Sequence, residues 1–129
     1  CEVPWESVSR WGIIEGKEVE KGVYKITNLI EKPKREEAPS NLCIAGRYVL
    51  TPEIFNALEQ ATAPVGKEIQ LTDALRELLK KQPMYAVKFE GVRYDVGERI
   101  DYFKTFVETA LQRPDLQKEA REFLKKIVG

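Results

Sequence analysis

Apolar and polar residues change rhythm several times along this chain, and each rhythm predicts an element. Trp11-Gly12-Ile13-Ile14-Glu15 reads as a strand and Gly16-Lys17-Glu18 as a polar turn, after which the β-branched run from Val23 to Ile30 returns as the second arm of a hairpin. Cys1 to Arg10 has no period, and Pro4 marks an irregular approach. The largely apolar stretch from Asn41 to Leu50 predicts a central strand covered on both faces. Thr51-Pro52-Glu53 has the signs of a helix start: Thr51 as cap, proline at the first helical position and an acid in the first turn. Ile54, Phe55 and Leu58 would form its buried stripe, and Ala63-Pro64-Val65-Gly66 its end. Glu68 to Ala74 leads into a second helix that places Leu71, Leu75, Leu78 and Leu79 on one face, with Thr72 or Asp73 as its cap. Met84 to Glu90 alternates like a half-exposed strand, and Asp95-Val96-Gly97 reads as a turn. A long helix follows with Tyr102, Phe103, Phe106, Val107, Ala110 and Leu111 as its buried set, and Pro114 breaks it. A last helix, Leu116 to Val128, repeats apolar residues at Ala120, Phe123, Leu124 and Ile127.

Composition narrows the partners. Lys plus Arg and Asp plus Glu are 21 each, so a net charge of zero gives no general reason to expect nucleic acid or an anionic membrane. No apolar run approaches the roughly 20 residues that span a bilayer, and the start does not resemble a signal peptide, so a cytoplasmic protein is the expectation. The absence of histidine excludes Ser–His and Cys–His nucleophilic machinery and the usual transition-metal sites. Any metal should then be a hard cation on carboxylates. Cys1 and Cys43 share no metal-type spacing, and Cys43 is expected as a buried free thiol. A start at Cys1 fits either removal of an initiator or a piece of a longer protein.

The candidate chemistry lies at Glu31-Lys32-Pro33, where the second strand stops. Proline cannot continue the ladder, and it biases Lys32 towards an extended conformation. Open α/β sheets bind ligands at such strand ends, where a carboxylate accepts from sugar hydroxyls and an ammonium holds a phosphate. A solvated strand end with a chance charge pair accounts for the same residues. Gly12, inside a strand, marks either a bulge or a close approach of backbone to a ligand.

The ordered set is more specific than its parts. Trp11-Gly12, Glu31-Lys32-Pro33, Ala38-Pro39-Ser40-Asn41-Leu42 running into Gly46-Arg47-Tyr48-Val49-Leu50-Thr51-Pro52-Glu53-Ile54, Glu68-Ile69-Gln70-Leu71-Thr72-Asp73-Ala74 and Arg93-Tyr94-Asp95-Val96-Gly97 follow one another. Together they closely resemble the C-terminal half of the bacterial UTP–glucose-1-phosphate uridylyltransferases, the UDP-glucose pyrophosphorylases. The resemblance implies a mixed-sheet α/β nucleotidyltransferase fold, Rossmann-like, as in the nucleotide-diphospho-sugar transferases. Residues 1–129 would be its C-terminal sugar-phosphate-binding portion with C-terminal helices. Family members join glucose 1-phosphate to UTP with magnesium, giving UDP-glucose and pyrophosphate by in-line attack of the sugar phosphate on the α-phosphorus.

Carried over to this sequence, the resemblance makes Glu31 the ligand of glucose hydroxyls and Lys32 the catalytic ligand of the phosphate joined to the sugar. Gly12 would offer backbone contacts to the hexose, Ile44 would lie against the sugar, and Asp95 would coordinate Mg2+. Ile44 as a core position and Asp95 as a turn residue are the structural alternatives. Asn41, Arg47, Glu68 and Asp73 are assigned to scaffold or capping. The family's Gly-rich phosphate loop, its uracil-reading residues and its second magnesium aspartate have no counterpart here, since the eight glycines form no Gly-x-Gly or Walker pattern. UTP would therefore bind only with an N-terminal nucleotide-binding half, and the chain alone should be inactive. Two other classes stay open: a freestanding hexose-phosphate-binding module, and an oligomerisation element built on the last helices. A thymidylyl- or cytidylyltransferase portion is the competitor within the enzyme class. Baring a face that the other half would cover also predicts a homo-oligomer.

Overall fold

The computed structural model describes residues 1–62 and 68–129, so the helix stop expected at Ala63 to Gly66 lies outside the described residues. The chain divides into two compact units, Cys1–Glu90 and Gly91–Gly129. The first is built on an antiparallel sheet of β1 (Gly12–Glu20), β2 (Val23–Glu31) and β3 (Tyr85–Val87), in that order. The hairpin is longer than the pattern suggested. Glu20 pairs with Val23 across Lys21 and Gly22, so the turn is there and not at Gly16 to Glu18. Gly16 instead sits inside β1 beside a register shift at Glu15/Gly16. Gly16, Lys17 and Glu18 read as a turn because that stretch projects into solvent, where neither face needs apolar residues.

Successive strand residues point to opposite faces, and Ile13 and Ile14 accordingly enter different cores. Ile14, Ile26 and Leu29 pack under α1 (Glu53–Gln60) and α2 (Leu71–Leu79), against Ile54, Ala57, Ala74, Leu75 and Leu78. Ile13 packs with Val3, Val8 and Cys43 in a smaller cluster. Val8 is delivered by a 3-10 helix over Trp5–Arg10, an element the aperiodic start did not suggest. α1 buries Ile54 and Ala57, while Phe55, expected in its stripe, is 68% exposed. Thr51 does not cap this helix by its side chain. Its carbonyl accepts from Ile54 N, and its hydroxyl accepts from Gln82 Nε2 at 3.1 Å.

The strand expected over residues 41–50 does not form; Leu42 and Cys43 make isolated antiparallel bridges to Glu2 and Ile13, respectively. Ile14 N donates to Leu42 O at 3.0 Å and Ile44 N to Gly12 O at 2.9 Å, along the edge of β1 away from β2. Residues 1–3 close the other side through Cys43 N to Cys1 O and Val3 N to Asn41 O. Ser40 pins the entry, its hydroxyl donating to Ile14 O at 2.6 Å and accepting from Leu42 N. Gly46 then takes a positive φ of 72°, a conformation that turns the chain at little cost only for glycine. After it Val49 is wholly exposed.

The second unit holds α3 (Arg99–Gln112) and α4 (Gln117–Val128), which pack on each other across the break at Pro114. Arg113 grips Asp115 through two hydrogen bonds, of 3.0 and 2.6 Å, in that connection. The helices form where expected, but their apolar residues are not buried. Val107, Ala110, Leu111, Ala120 and Leu124 are half-covered, whereas Tyr102, Phe103, Phe106, Phe123 and Ile127 are exposed. Two short helices cannot enclose each other's full apolar faces, and nothing else within this unit covers them.

Candidate functional site

Where β2 stops, four elements converge. Gly12 opens β1 directly opposite Glu31, the last residue of β2. The hydrogen bond from Ile44 N to Gly12 O holds the extended segment beside them. From below, the first turn of α2 brings up Thr72, whose hydroxyl donates to Glu31 Oε2 at 2.6 Å. This is the short O–H···O⁻ geometry of a charge-assisted bond, and it fixes one carboxylate oxygen while Glu31 stays partly open to solvent.

Thr72 is 4% exposed, the one buried polar residue among those described. Sequence spacing suggested it as a cap, but the capping falls to Asp73, whose Oδ2 accepts from Gln70 N at 3.0 Å. Thr72 lies on the face of α2 that carries Leu75 into the core, which turns its hydroxyl inward. The signal was present: a threonine one position before a satisfactory cap, three before a core leucine.

Gly12 is closely confined. A Cβ there would stand 2.9 Å from Glu31 Oε2, 3.0 Å from Ile44 Cδ1 and 3.5 Å from Thr72 Oγ1. The strand glycine is therefore a close-approach position, and what approaches is the Glu31 carboxylate with its two neighbours. Gly12, Glu31 and Ile44 are thus gathered in one place.

Lys32 follows at once, exposed, with its N–H donating to Trp11 O at 3.0 Å. Its backbone is not extended as proline was expected to make it. Lys32 has φ of 44°, the one non-glycine residue with positive φ among those described. The ladder bond to Trp11 and the burial of Pro33 hold the chain in this bend, which costs a lysine about 1–2 kcal/mol. Tyr48, part of a quoted motif but given no role from the sequence, lies within electrostatic reach of this carboxylate. Partial burial first, and then the nearby negative charge of Glu31, push its phenol above the ordinary value.

Asp95 lies in the second unit, half-buried, with Oδ1 accepting from Gly97 N at 3.1 Å and Oδ2 4.0 Å from Arg93 Nη2. Among the described residues no three His, Cys, Asp or Glu side chains cluster as a metal site. Of the residues assigned to scaffold, Asn41 ties the extended segment to residue 3 through Nδ2 and Val3 O.

A family model described as "Nucleotidyl transferase" matches residues 1–112. The chain belongs to the nucleotidyl transferase family. It is 47% identical over 126 residues to a UTP–glucose-1-phosphate uridylyltransferase of Staphylococcus epidermidis, covering 98% of this chain and 44% of that protein. A putative enzyme of the same name from Methanocaldococcus jannaschii is 45% identical over 126 residues, with 97% and 44% covered. Among solved structures, a UDP-glucose pyrophosphorylase complexed with UDP-glucose superposes with a TM-score of 0.82 at 44% identity, over 87% of this chain and 42% of that one. A UTP-bound relative from Acinetobacter baumannii gives 0.81 at 32% identity, over 95% and 42%. The fold is thus the α/β nucleotidyltransferase fold, and the chain spans less than half the length of these relatives. No helix among the described residues of this nucleotidyl transferase chain is long and apolar enough to cross a membrane.

Proposed function

We propose that this chain is the hexose-phosphate-gripping portion of a UTP–glucose-1-phosphate uridylyltransferase. The observation that carries this reading is the gathering of Gly12, Glu31, Ile44 and Thr72 at one strand end, with Glu31 clamped by a buried hydroxyl. Glu31 accepts from glucose hydroxyls, Gly12 meets the hexose through backbone, and Ile44 lies against the ring. Lys32 neutralises the phosphate. Its bent backbone supports the assignment, since strain of this kind collects where a side chain must be held ready. Chemistry of this class needs positioning and charge neutralisation more than a covalent nucleophile, which suits a chain without histidine.

Mg2+ belongs to the same reading. Asp95 would supply a single carboxylate, which is compatible with an ion that usually takes one or two from protein and fills its remaining places with phosphate oxygens and water. UTP would bind through a nucleotide-binding portion that the relatives' additional length supplies, so this chain by itself does not turn over. The exposed Tyr102, Phe103, Phe106 and Phe123 support a further element of the proposal, association of the chain with itself.

Calorimetry of the 129-residue chain with glucose 1-phosphate and with UDP-glucose, each with and without Mg2+, tests the reading. Saturable binding of both is expected, with UDP-glucose gaining more from the metal. Absence of heat for either ligand at millimolar concentration would refute it.

A further inference from the structure

Cys1 and Cys43 are 42 positions apart, yet their Sγ atoms lie 2.8 Å from each other. Both are free thiols. The backbone sets this pair. Cys1 N donates to Cys43 O at 3.1 Å and Cys43 N to Cys1 O at 2.7 Å, so the two residues exchange both hydrogen bonds across an antiparallel pair. A peptide N–H at Cys1 makes the first bond as well as an amine does. Such pairs hold their Cα atoms about 5.5 Å apart, inside the range of about 4.4–6.8 Å that a disulfide bridges without moving the backbone. The environments of the two thiols differ in a useful way: Cys43 is buried against Val3, Val8 and Ile13, while Cys1 is half-open to solvent.

We propose that Cys1 and Cys43 form a thiol–disulfide exchange site that accepts low-molecular-weight disulfides and closes into an intramolecular bridge. The Cys1 thiolate, the accessible one, attacks a sulfur of the small disulfide and displaces one small thiolate, leaving a mixed disulfide on Cys1. The Cys43 thiolate then attacks the Cys1 sulfur and displaces the second. The two protein thiols are oxidised to one disulfide, the small disulfide is reduced to two thiols, and the two protons pass to the departing thiolates. Burial of Cys43 beside its partner makes it the resolving group. The bridge fastens residues 1–3 to the segment that carries Ile44 to Gly12, closing a long loop whose ends already meet. This inference stands on the cysteine pair alone and does not depend on the reading of the hexose site.

The test exposes the reduced chain to oxidised glutathione and follows intact mass. The expected product is a monomer lighter by two hydrogens with no glutathione retained. Its tryptic digest should contain Cys1–Arg10 joined to Glu36–Arg47. The product should melt about 10 °C higher than the reduced chain and return to it with dithiothreitol. A Cys43→Ala variant should stop at the glutathione adduct on Cys1. A stable adduct on the unmutated chain, a disulfide between two chains, or both thiols unreacted would each overturn the proposal, and none of these readings requires the variant to fold.

Discussion

Thr72 shows how one hydroxyl decides what a neighbouring carboxylate can do. Its bond to Glu31 Oε2 costs the core a buried polar atom and returns an acid whose orientation is set before any ligand arrives. Replacing Thr72 by valine keeps the volume and removes the donor. Affinity for glucose 1-phosphate should fall about ten- to a hundredfold, as a hydrogen bond to a charged group is worth about 1.5–3 kcal/mol, while Thr72→Ser should retain most of it. Calorimetry on the two variants separates orientation from packing. Lys32 offers the opposite dissociation. Asn tolerates positive φ better than lysine does, so Lys32→Asn should melt no lower than the parent and yet lose phosphate-dependent binding. A lower melting temperature would show that the lysine side chain supports the fold. Glu31 and Lys32 were legible as a pair because proline ends their strand. Thr72 was not, because it reaches Glu31 only through tertiary packing that no local spacing reveals.

Among the elements, the apolar start of β1 and half of the leucine face of α2 were readable because burial enforces them, whereas Leu71 is exposed and Leu79 only half-buried. Ile13 and Ile14 each face a core, and Leu75 and Leu78 are held under the sheet. The misplaced turn and the strand expected at residues 41–50 fail in opposite ways: a solvated strand segment is polar and reads as a turn, while Tyr48 and Val49 are apolar but exposed after the chain bends at Gly46. Stability should follow the same division. Leu75→Ala empties a fully buried site and should cost about 2–5 kcal/mol in urea unfolding. Phe55→Ser, on the exposed side of α1, should stay within about 0.5 kcal/mol.

For the molecule as a whole, the two units differ in what holds them. Cys1–Glu90 has two buried clusters, whereas neither helix of Gly91–Gly129 buries a residue. Residues 1–90 alone should therefore unfold cooperatively, while a 91–129 peptide should show little helix by circular dichroism in water. The helical periods of α3 and α4 were read correctly and their burial was not, since periodicity names the face that wants covering and not what covers it. Light scattering at rising concentration should show self-association, and a strictly monomeric chain would remove that element of the proposal. The most direct test of the whole account is a backbone NMR titration of the chain with glucose 1-phosphate. We predict saturable shifts concentrated at Gly12, Glu31, Lys32, Ile44 and Thr72, abolished by Glu31→Gln. Shifts centred elsewhere, or unchanged in that variant, would contradict it.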